Sequence, residues 1–167
     1  MAIVHFDSRL PDEERRERLF KGEIFTFSPT THSTALVAHA RGMIEQAFGP
    51  RDPEHAQYDM KVEDFAALLG KLKPAFIHHP TSKELVRGIM EDLGADPART
   101  YFDVPKMRSS TSDDYLTTGI ALAFPPHRDT WYSAPHCQIN WWMPIYPITP
   151  DNGMAFYPYY FDRPIKN

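Results

Sequence analysis

The sequence changes character about three quarters of the way along its 167 residues. Half of its 16 Pro and half of its aromatic residues lie between Phe124 and Pro164. Pro is excluded from helix interiors and favoured in turns, whereas aromatic residues are enriched in strands. We therefore expect the C-terminal quarter to be built differently from the rest of the chain and to carry the function.

Three amphipathic helices are predicted between residues 33 and 94. Apolar residues recur at helical spacing over Ser33–Phe48, and again from Val62 until Pro74 closes the second helix. The third helix opens at Thr81, which forms a capping-box pattern with Glu84, and ends at Gly94. Two shorter elements are predicted ahead of them, a charged helix at Asp12–Phe20 and a strand at Glu23–Phe27.

From Tyr101 onward the pattern favours strands. Runs of β-branched and aromatic residues alternate with Pro, Asp and Asn-Gly turn signals. Helices followed by strands predict an α+β fold with an antiparallel sheet. We expect a single domain over 1–167, with a mainly helical region at 1–100 and strands at 101–167. The predicted strands are Tyr101–Val104, Leu116–Phe124, Gln138–Ile148 and Met154–Phe161.

Composition excludes several classes of function. The formal net charge of -4 argues against a general nucleic-acid binder, and the single Cys137 excludes a disulfide framework. No run of apolar residues is long enough to cross a membrane, and the first residues lack the apolar segment of a signal peptide. We expect a cytoplasmic protein that acts on a small molecule.

A metal site in this chain would be built from His and carboxylates, because thiolate clusters are excluded. His and Asp at positions i and i+2 share a face of a strand, and with a second His they form the facial triad of non-haem Fe(II) oxygenases. Chance predicts roughly 0.6 His-x-Asp matches in a chain of this composition, and there are two. His5-Phe6-Asp7 precedes a surface helix, which favours a chance match. His127-Arg128-Asp129 lies between strand-like aromatic segments.

The second motif belongs to a longer pattern that resembles a known family. After it come Gln138-Ile139-Asn140-Trp141-Trp142 and then Asp151-Asn152-Gly153. Over Leu116–Phe161 the order resembles the phytanoyl-CoA dioxygenase-like branch of the Fe(II)/2-oxoglutarate-dependent oxygenases. The resemblance implies N-terminal helices packed on a double-stranded β-helix, or jelly roll. It also implies Fe(II), 2-oxoglutarate and O2 as cofactors, and a dioxygenase that oxidises or hydroxylates a small molecule while releasing succinate and CO2.

Five residues take their expected roles from this resemblance. His127 and Asp129 match the first two iron ligands, and the Asp129 carboxylate favours oxygenation over the halogenation of related enzymes that lack it. Gln138, Asn140 and Trp142 alternate and so share one face of a strand. In the family that face looks into the barrel beside 2-oxoglutarate, so the resemblance implies that these three residues bind the cofactor.

Three further residues are candidates for the substrate pocket. Trp131 follows the motif and would help to exclude water, Tyr115 precedes the motif strand, and Arg108 lies beside Lys106 in a basic loop suited to an anionic substrate. The alternative for Trp131 is a place in the core, and the alternative for Arg108 is a solvated loop.

The resemblance also implies two residues that the pattern does not supply. The family's distal His, the third iron ligand, and its 2-oxoglutarate-binding Arg follow several tens of residues after the turn matched by Asn152-Gly153. The sequence ends at Asn167. We therefore expect an incomplete jelly roll, and the third iron ligand stays open because His136 is too near His127 to match the distal position.

Two alternatives to an enzyme that is active by itself stay open. One is a metal-free jelly-roll module whose aromatic residues bind a sugar or an apolar ligand. The other is a structural or incomplete subunit that is completed by a homo-oligomer or a complementing chain, which would leave strand edges exposed.

Overall fold

The computed structural model describes residues 3–117, 119–120, 125–132 and 134–164. All the α-helices and strands of this described part lie before residue 93, and only two short 3-10 helices follow them. The elements in chain order are β1 (Val4–Phe6), α1 (Asp12–Leu19), β2 (Ile24–Thr26), α2 (Thr31–Phe48), α3 (Ala56–Asp59), α4 (Val62–His78), α5 (Pro80–Asp92) and the 3-10 helices Asp129–Tyr132 and Pro158–Tyr160.

Three helices, α2, α4 and α5, pack on one another and build the core. Their buried side chains recur every three or four residues, which is the spacing that places them on one face of a helix. The apolar patterns that predicted helices in these three places are therefore confirmed, as is the charged helix α1. The buried apolar residues of α2 and α4 are Leu36, Ala40, Ile44, Phe48, Phe65, Leu69, Leu72 and Phe76.

The end of α4 differs from the prediction. Pro74 does not close the helix, which continues to His78. Pro inside a helix costs about 3 kcal/mol, because it lacks an N–H group and its ring crowds the preceding turn. Leu72 and Phe76, on either side of Pro74, are both buried in the core. Each of those burials contributes about 1.5–3 kcal/mol, so together they offset the cost of the proline.

The start of α5 also differs from the prediction. Its N-cap is His79, whose Nδ1 accepts a hydrogen bond from the backbone N–H of Thr81 at 3.2 Å. Pro80 then occupies the first turn, where its missing N–H has no cost. Thr81 and Glu84 consequently lie inside the helix instead of forming the predicted capping box. A capping box does form at α2, between Thr30 and Ser33.

The strand predicted at residues 23–27 is present as β2, and it pairs in parallel with β1. His5 of β1 contacts Glu23 at 2.5 Å across this pair. Asp7 accepts hydrogen bonds from the backbone N–H and the hydroxyl of Ser28, at 2.5 and 2.7 Å. The side chains of the first His-x-Asp sequence thus join the segments that carry β1 and β2.

The predicted jelly roll is wrong. The described residues form five α-helices and one two-stranded parallel sheet, and none of the residues from 101 onward that are described lies in a strand. A strand is stable only when a neighbour satisfies its backbone groups, and Pro144 and Pro147 each remove an N–H donor from the predicted strand at 138–148. Of the predicted strand at 116–124, residues 118 and 121–124 lie outside the described residues.

Parts of the C-terminal half are attached to the helical core. Met107 is buried in it, and Arg41 of α2 donates a hydrogen bond to the Ile145 carbonyl at 2.7 Å. The Arg41 guanidinium also lies 4.9 Å from the centre of the Tyr146 ring. Phe27, just after β2, stacks on Trp141 with ring centres 6.1 Å apart. These contacts hold residues 141–146 against the N-terminal half.

Within the described ranges, no helix has both the length and the apolar character that crossing a bilayer requires.

Candidate metal site at His127 and Asp129

His127 and Asp129 face each other at the start of the first 3-10 helix. The Nε2 atom of His127 lies 3.3 Å from the Oδ1 atom of Asp129. Two ligands that each lie about 2.0–2.2 Å from one metal ion, at roughly a right angle, are about 3 Å apart. The spacing of these two atoms therefore fits two neighbouring positions in the coordination shell of one ion.

A backbone carbonyl orients the His127 ring. The Nδ1 atom lies 2.7 Å from the carbonyl oxygen of Pro125. A carbonyl only accepts hydrogen bonds, so Nδ1 carries a proton and Nε2 is the nitrogen that faces Asp129. In metal sites a His ligand commonly donates its second ring N–H to a carbonyl in this way.

Two of the predicted cofactor-binding residues support Asp129. Asn140 donates a hydrogen bond from Nδ2 to Oδ2 of Asp129, and Gln138 donates from Nε2 to Oδ1 of Asn140 at 2.6 Å. The carboxylate thus has one oxygen held by an amide while the other faces His127. Because this bond fixes the carboxylate from behind, Asn140 orients the acidic side chain, and its predicted contact with 2-oxoglutarate stays a prediction.

Arg128, between the two candidate ligands, ties the motif to the second 3-10 helix. Its guanidinium donates hydrogen bonds to the carbonyl oxygens of Tyr160 and Arg163. Sequence reasoning assigned no role to Arg128 or to the Pro125 carbonyl. Bonds to backbone carbonyls are independent of the residue that supplies them, so no sequence signal marks Tyr160 or Arg163 as partners.

The site is open to solvent. The His127 side chain is 25% exposed and that of Asp129 is 52% exposed. Tyr132 places the edge of its ring against His127, with ring centres 5.2 Å apart. Water screens charges at such a surface, so the attraction of the site for a cation depends on direct coordination more than on long-range charge.

The remaining predicted residues have different surroundings. Trp131 lies in the same 3-10 helix as Asp129 and is about half exposed, as is Trp142. Tyr115 instead packs on Phe65 of α4, and its hydroxyl donates to the carbonyl of Met60, just before that helix, at 2.8 Å. Arg108 is exposed beside Lys73 of α4, and together with burial its charge lowers the pKa of Lys73. The structure thus gathers His127, Asp129, Asn140 and Gln138, while Tyr115 and Arg108 contact the helical half.

No third ligand emerges from the part of the chain that the structure describes. In that part, no three side chains of His, Cys, Asp or Glu come together as a group that could hold a metal ion. His127 and Asp129 fit two ligand positions, and the third protein ligand that the family resemblance implies is not supplied by their described neighbours.

Two His side chains meet at the junction of α2 and α5. The rings of His39 and His79 have centres 4.6 Å apart, and Nε2 of His39 is buried without a hydrogen-bond partner among the described residues. Because His79 accepts the N–H of Thr81 through Nδ1, its neutral ring carries the proton on Nε2. A protonated nitrogen is not a metal ligand, so this pair is a structural contact.

This junction makes stability depend on pH. Burial, and then the nearby His79, lower the pKa of His39 below its ordinary value of 6.5. The unfolded chain therefore binds a proton at His39 more readily than the folded chain does. Stability is full above about pH 6.5 and falls as the pH drops toward the lowered pKa of His39. We expect urea unfolding midpoints to fall between pH 7.5 and 5.5, and to fall less in His39→Leu than in the wild type. An equal fall in both proteins would contradict the assignment.

The chain was compared with protein-family models, with curated proteins and with solved structures, and none of them matches it.

Proposed function

We propose that this chain carries two iron ligands of an Fe(II)/2-oxoglutarate-dependent dioxygenase that oxidises a small molecule. The observation that carries the proposal is the convergence of His127 Nε2 and Asp129 Oδ1 at 3.3 Å, with the Pro125 carbonyl orienting the imidazole. A side-by-side nitrogen and carboxylate oxygen are donors suited to Fe(II). The family resemblance of the same motif supplies the identity of the reaction.

The residues of the chain have distinct tasks in this proposal. His127 and Asp129 hold the ion, Asn140 fixes the carboxylate through Oδ2, and Gln138 fixes Asn140. When bound, iron would activate O2 with 2-oxoglutarate for oxidation of a substrate C–H bond, yielding succinate and CO2. Trp131 and Trp142 remain candidates for contact with the substrate and the cofactor. A third protein ligand stays unassigned, and the cytoplasmic location stays a prediction.

Hydrogen bonds behind a metal ligand keep it in the geometry that the ion requires. Losing such a bond typically weakens metal affinity by about 10–100-fold. The link from Gln138 through Asn140 to Asp129 is therefore part of the proposed site even if neither amide touches the ion. This arrangement accounts for two polar side chains within an otherwise apolar and aromatic segment at 138–148.

Metal titration tests the proposal directly. We expect calorimetry with Mn(II), which substitutes for Fe(II) without being oxidised by air, to detect one ion per chain. His127→Ala should abolish this binding, whereas His5→Ala, in the other His-x-Asp sequence, should leave it unchanged. Absence of binding by the wild type, or equal binding by His127→Ala, would reject the metal site and favour a metal-free binding function.

A further inference from the structure

Residues 160–163 are tied to the candidate metal site by Arg128. This side chain lies between the two candidate ligands in the chain, and its Nη2 atom donates to the carbonyl oxygens of both Tyr160 and Arg163. The two carbonyls belong to residues on either side of Phe161. Arg128 therefore couples the position of the two ligands to the position of this segment.

The Phe161 ring packs against the turn between α1 and β2. A Cβ atom placed on Gly22 in that turn would lie 2.9 Å from each of two ring atoms of Phe161, which is closer than such atoms approach in folded proteins. The ring therefore occupies space that is free only because a glycine has no side chain. Gly22 thus seats residues 160–163 on the N-terminal half of the chain.

The turn at Gly22 has a fixed geometry because it ends a helix. The φ angle of Gly22 is +87°, in the left-handed region. The Gly22 N–H donates to the Leu19 carbonyl at 2.9 Å, and the Glu23 N–H donates to the Arg18 carbonyl at 3.1 Å. This pair of bonds is the Schellman arrangement, whose left-handed position is usually a glycine. The seat for Phe161 is consequently held by the end of α1.

The other end of β2 contacts a second support of the site. Phe27, directly after β2, stacks on Trp141 with ring centres 6.1 Å apart and ring planes 19° apart. Trp141 follows Asn140, whose amide donates to the Asp129 carboxylate. The residues on both sides of β2 thus contact the segments that hold the candidate ligands.

We infer that Gly22 is a positioning residue for the candidate metal site. By seating Phe161, Gly22 fixes the segment that Arg128 binds, and Arg128 in turn holds the two candidate ligands side by side. Ligands held by a fixed framework keep the separation that an ion requires, so displacement of the framework weakens metal binding. The effect on metal binding rests on the proposed function, whereas the contacts that carry the inference belong to the metal-free chain.

A matched pair of glycine substitutions in the full chain tests the inference. Gly94 ends α5 with a φ of +77° and the same arrangement of two hydrogen bonds, but no described atom beyond its chain neighbours lies within 4 Å of the position of its Cβ. Gly94→Ala therefore adds left-handed strain, as Gly22→Ala does, without displacing an aromatic ring. We expect both variants to be less stable in urea. Only Gly22→Ala should weaken Mn(II) binding in calorimetry, by about three- to tenfold, because it acts through two further residues.

A double variant distinguishes positioning from a general loss of stability. Arg128→Met removes both hydrogen bonds to residues 160–163 and keeps a side chain of similar length. If Gly22 acts through Arg128, the double variant should bind Mn(II) no more weakly than Arg128→Met alone, because the two changes interrupt the same path. Independent losses that multiply in the double variant would overturn the inference. Wild-type Mn(II) affinity in Gly22→Ala would overturn it as well.

Hydrogen exchange of the metal-free chain separates this inference from the proposed function. The Trp131 N–H donates to the Arg128 carbonyl at 2.9 Å, so its exchange reports local opening of the motif segment. We expect this exchange to be at least about threefold faster in Gly22→Ala than in the wild type, and unchanged in Gly94→Ala. A wild type that binds no Mn(II) would reject the proposed function, and exchange would still decide whether Gly22 holds the motif. Unchanged exchange in Gly22→Ala would contradict the inference even in a chain that binds the metal.

Discussion

Under the proposed dioxygenase function, replacement of Asp129 by Ala is expected to lower conversion of 2-oxoglutarate to succinate by at least about 100-fold. Removal of a ligand should exceed the roughly 10–100-fold effect of losing a bond behind one. The substitution also removes the carboxylate that accepts the hydrogen bond of the Asn140 amide, so Gln138 and Asn140 no longer orient a metal ligand. Succinate release in the presence of Fe(II), 2-oxoglutarate and candidate substrates is the measurement.

Two controls make this result specific to the proposed site. Asp7→Ala alters the other His-x-Asp sequence, where the carboxylate bonds to Ser28, and it should retain turnover. Asn140→Ala should weaken Mn(II) binding without abolishing it, because it removes a support and not a ligand. Retention of full turnover by Asp129→Ala would show that Asp129 does not hold the metal.

Phe65→Ala is expected to lower the free energy of unfolding by about 3–5 kcal/mol. The Phe65 ring is buried in α4 and meets Phe48 of α2 edge-on, with ring centres 5.8 Å apart. It also meets the Tyr115 ring at 5.4 Å, which joins the helical core to the C-terminal half. Truncation removes these contacts and leaves a cavity that rigid helices fill poorly. The total stability of a domain is about 5–15 kcal/mol, so a large fraction would be lost.

Urea unfolding followed by circular dichroism measures this loss. Phe6→Ala provides the control, because Phe6 is 77% exposed and its truncation should change stability by no more than about 0.5 kcal/mol. If Phe65→Ala cost less than about 1 kcal/mol, the helices would not pack around Phe65 as the structure describes.

Local features of the helical half were predictable from the sequence. The spacing of Leu36 and Ala40 on α2 defines an apolar face whatever that face packs against, because the period of a helix is a property of its backbone. Of the other two residues in the predicted stripe, Met43 is partly buried and Ala47 is exposed, while Ile44 and Phe48 complete the buried face. The same holds for α4 as far as Pro74. Where the prediction ended the helix, the burial of Phe76 decided the outcome, and burial is known only once the helices are assembled.

The secondary structure of the C-terminal half was not predictable from its sequence pattern. The β-branched and aromatic residues at 138–148 predicted a strand, and the family resemblance implied that it belongs to a jelly roll, yet no described residue there has a strand partner. β-structure depends on hydrogen bonds to a distant segment, so residue types alone indicate only that a strand is compatible with this segment. The sequence cannot state whether a partner is present.

The candidate site combines both kinds of information. His127 and Asp129 could be predicted as candidate ligands from the sequence, because the ligand preferences of a metal are chemical properties of side chains. Their approach to 3.3 Å, the orienting carbonyl of Pro125 and the link through Asn140 are tertiary facts. Contacts with backbone atoms and across many residues carry no local signature. Chemistry and helix periodicity were therefore set locally, whereas strand pairing, helix ends and the support of the site were decided by the packing of segments that are distant in sequence.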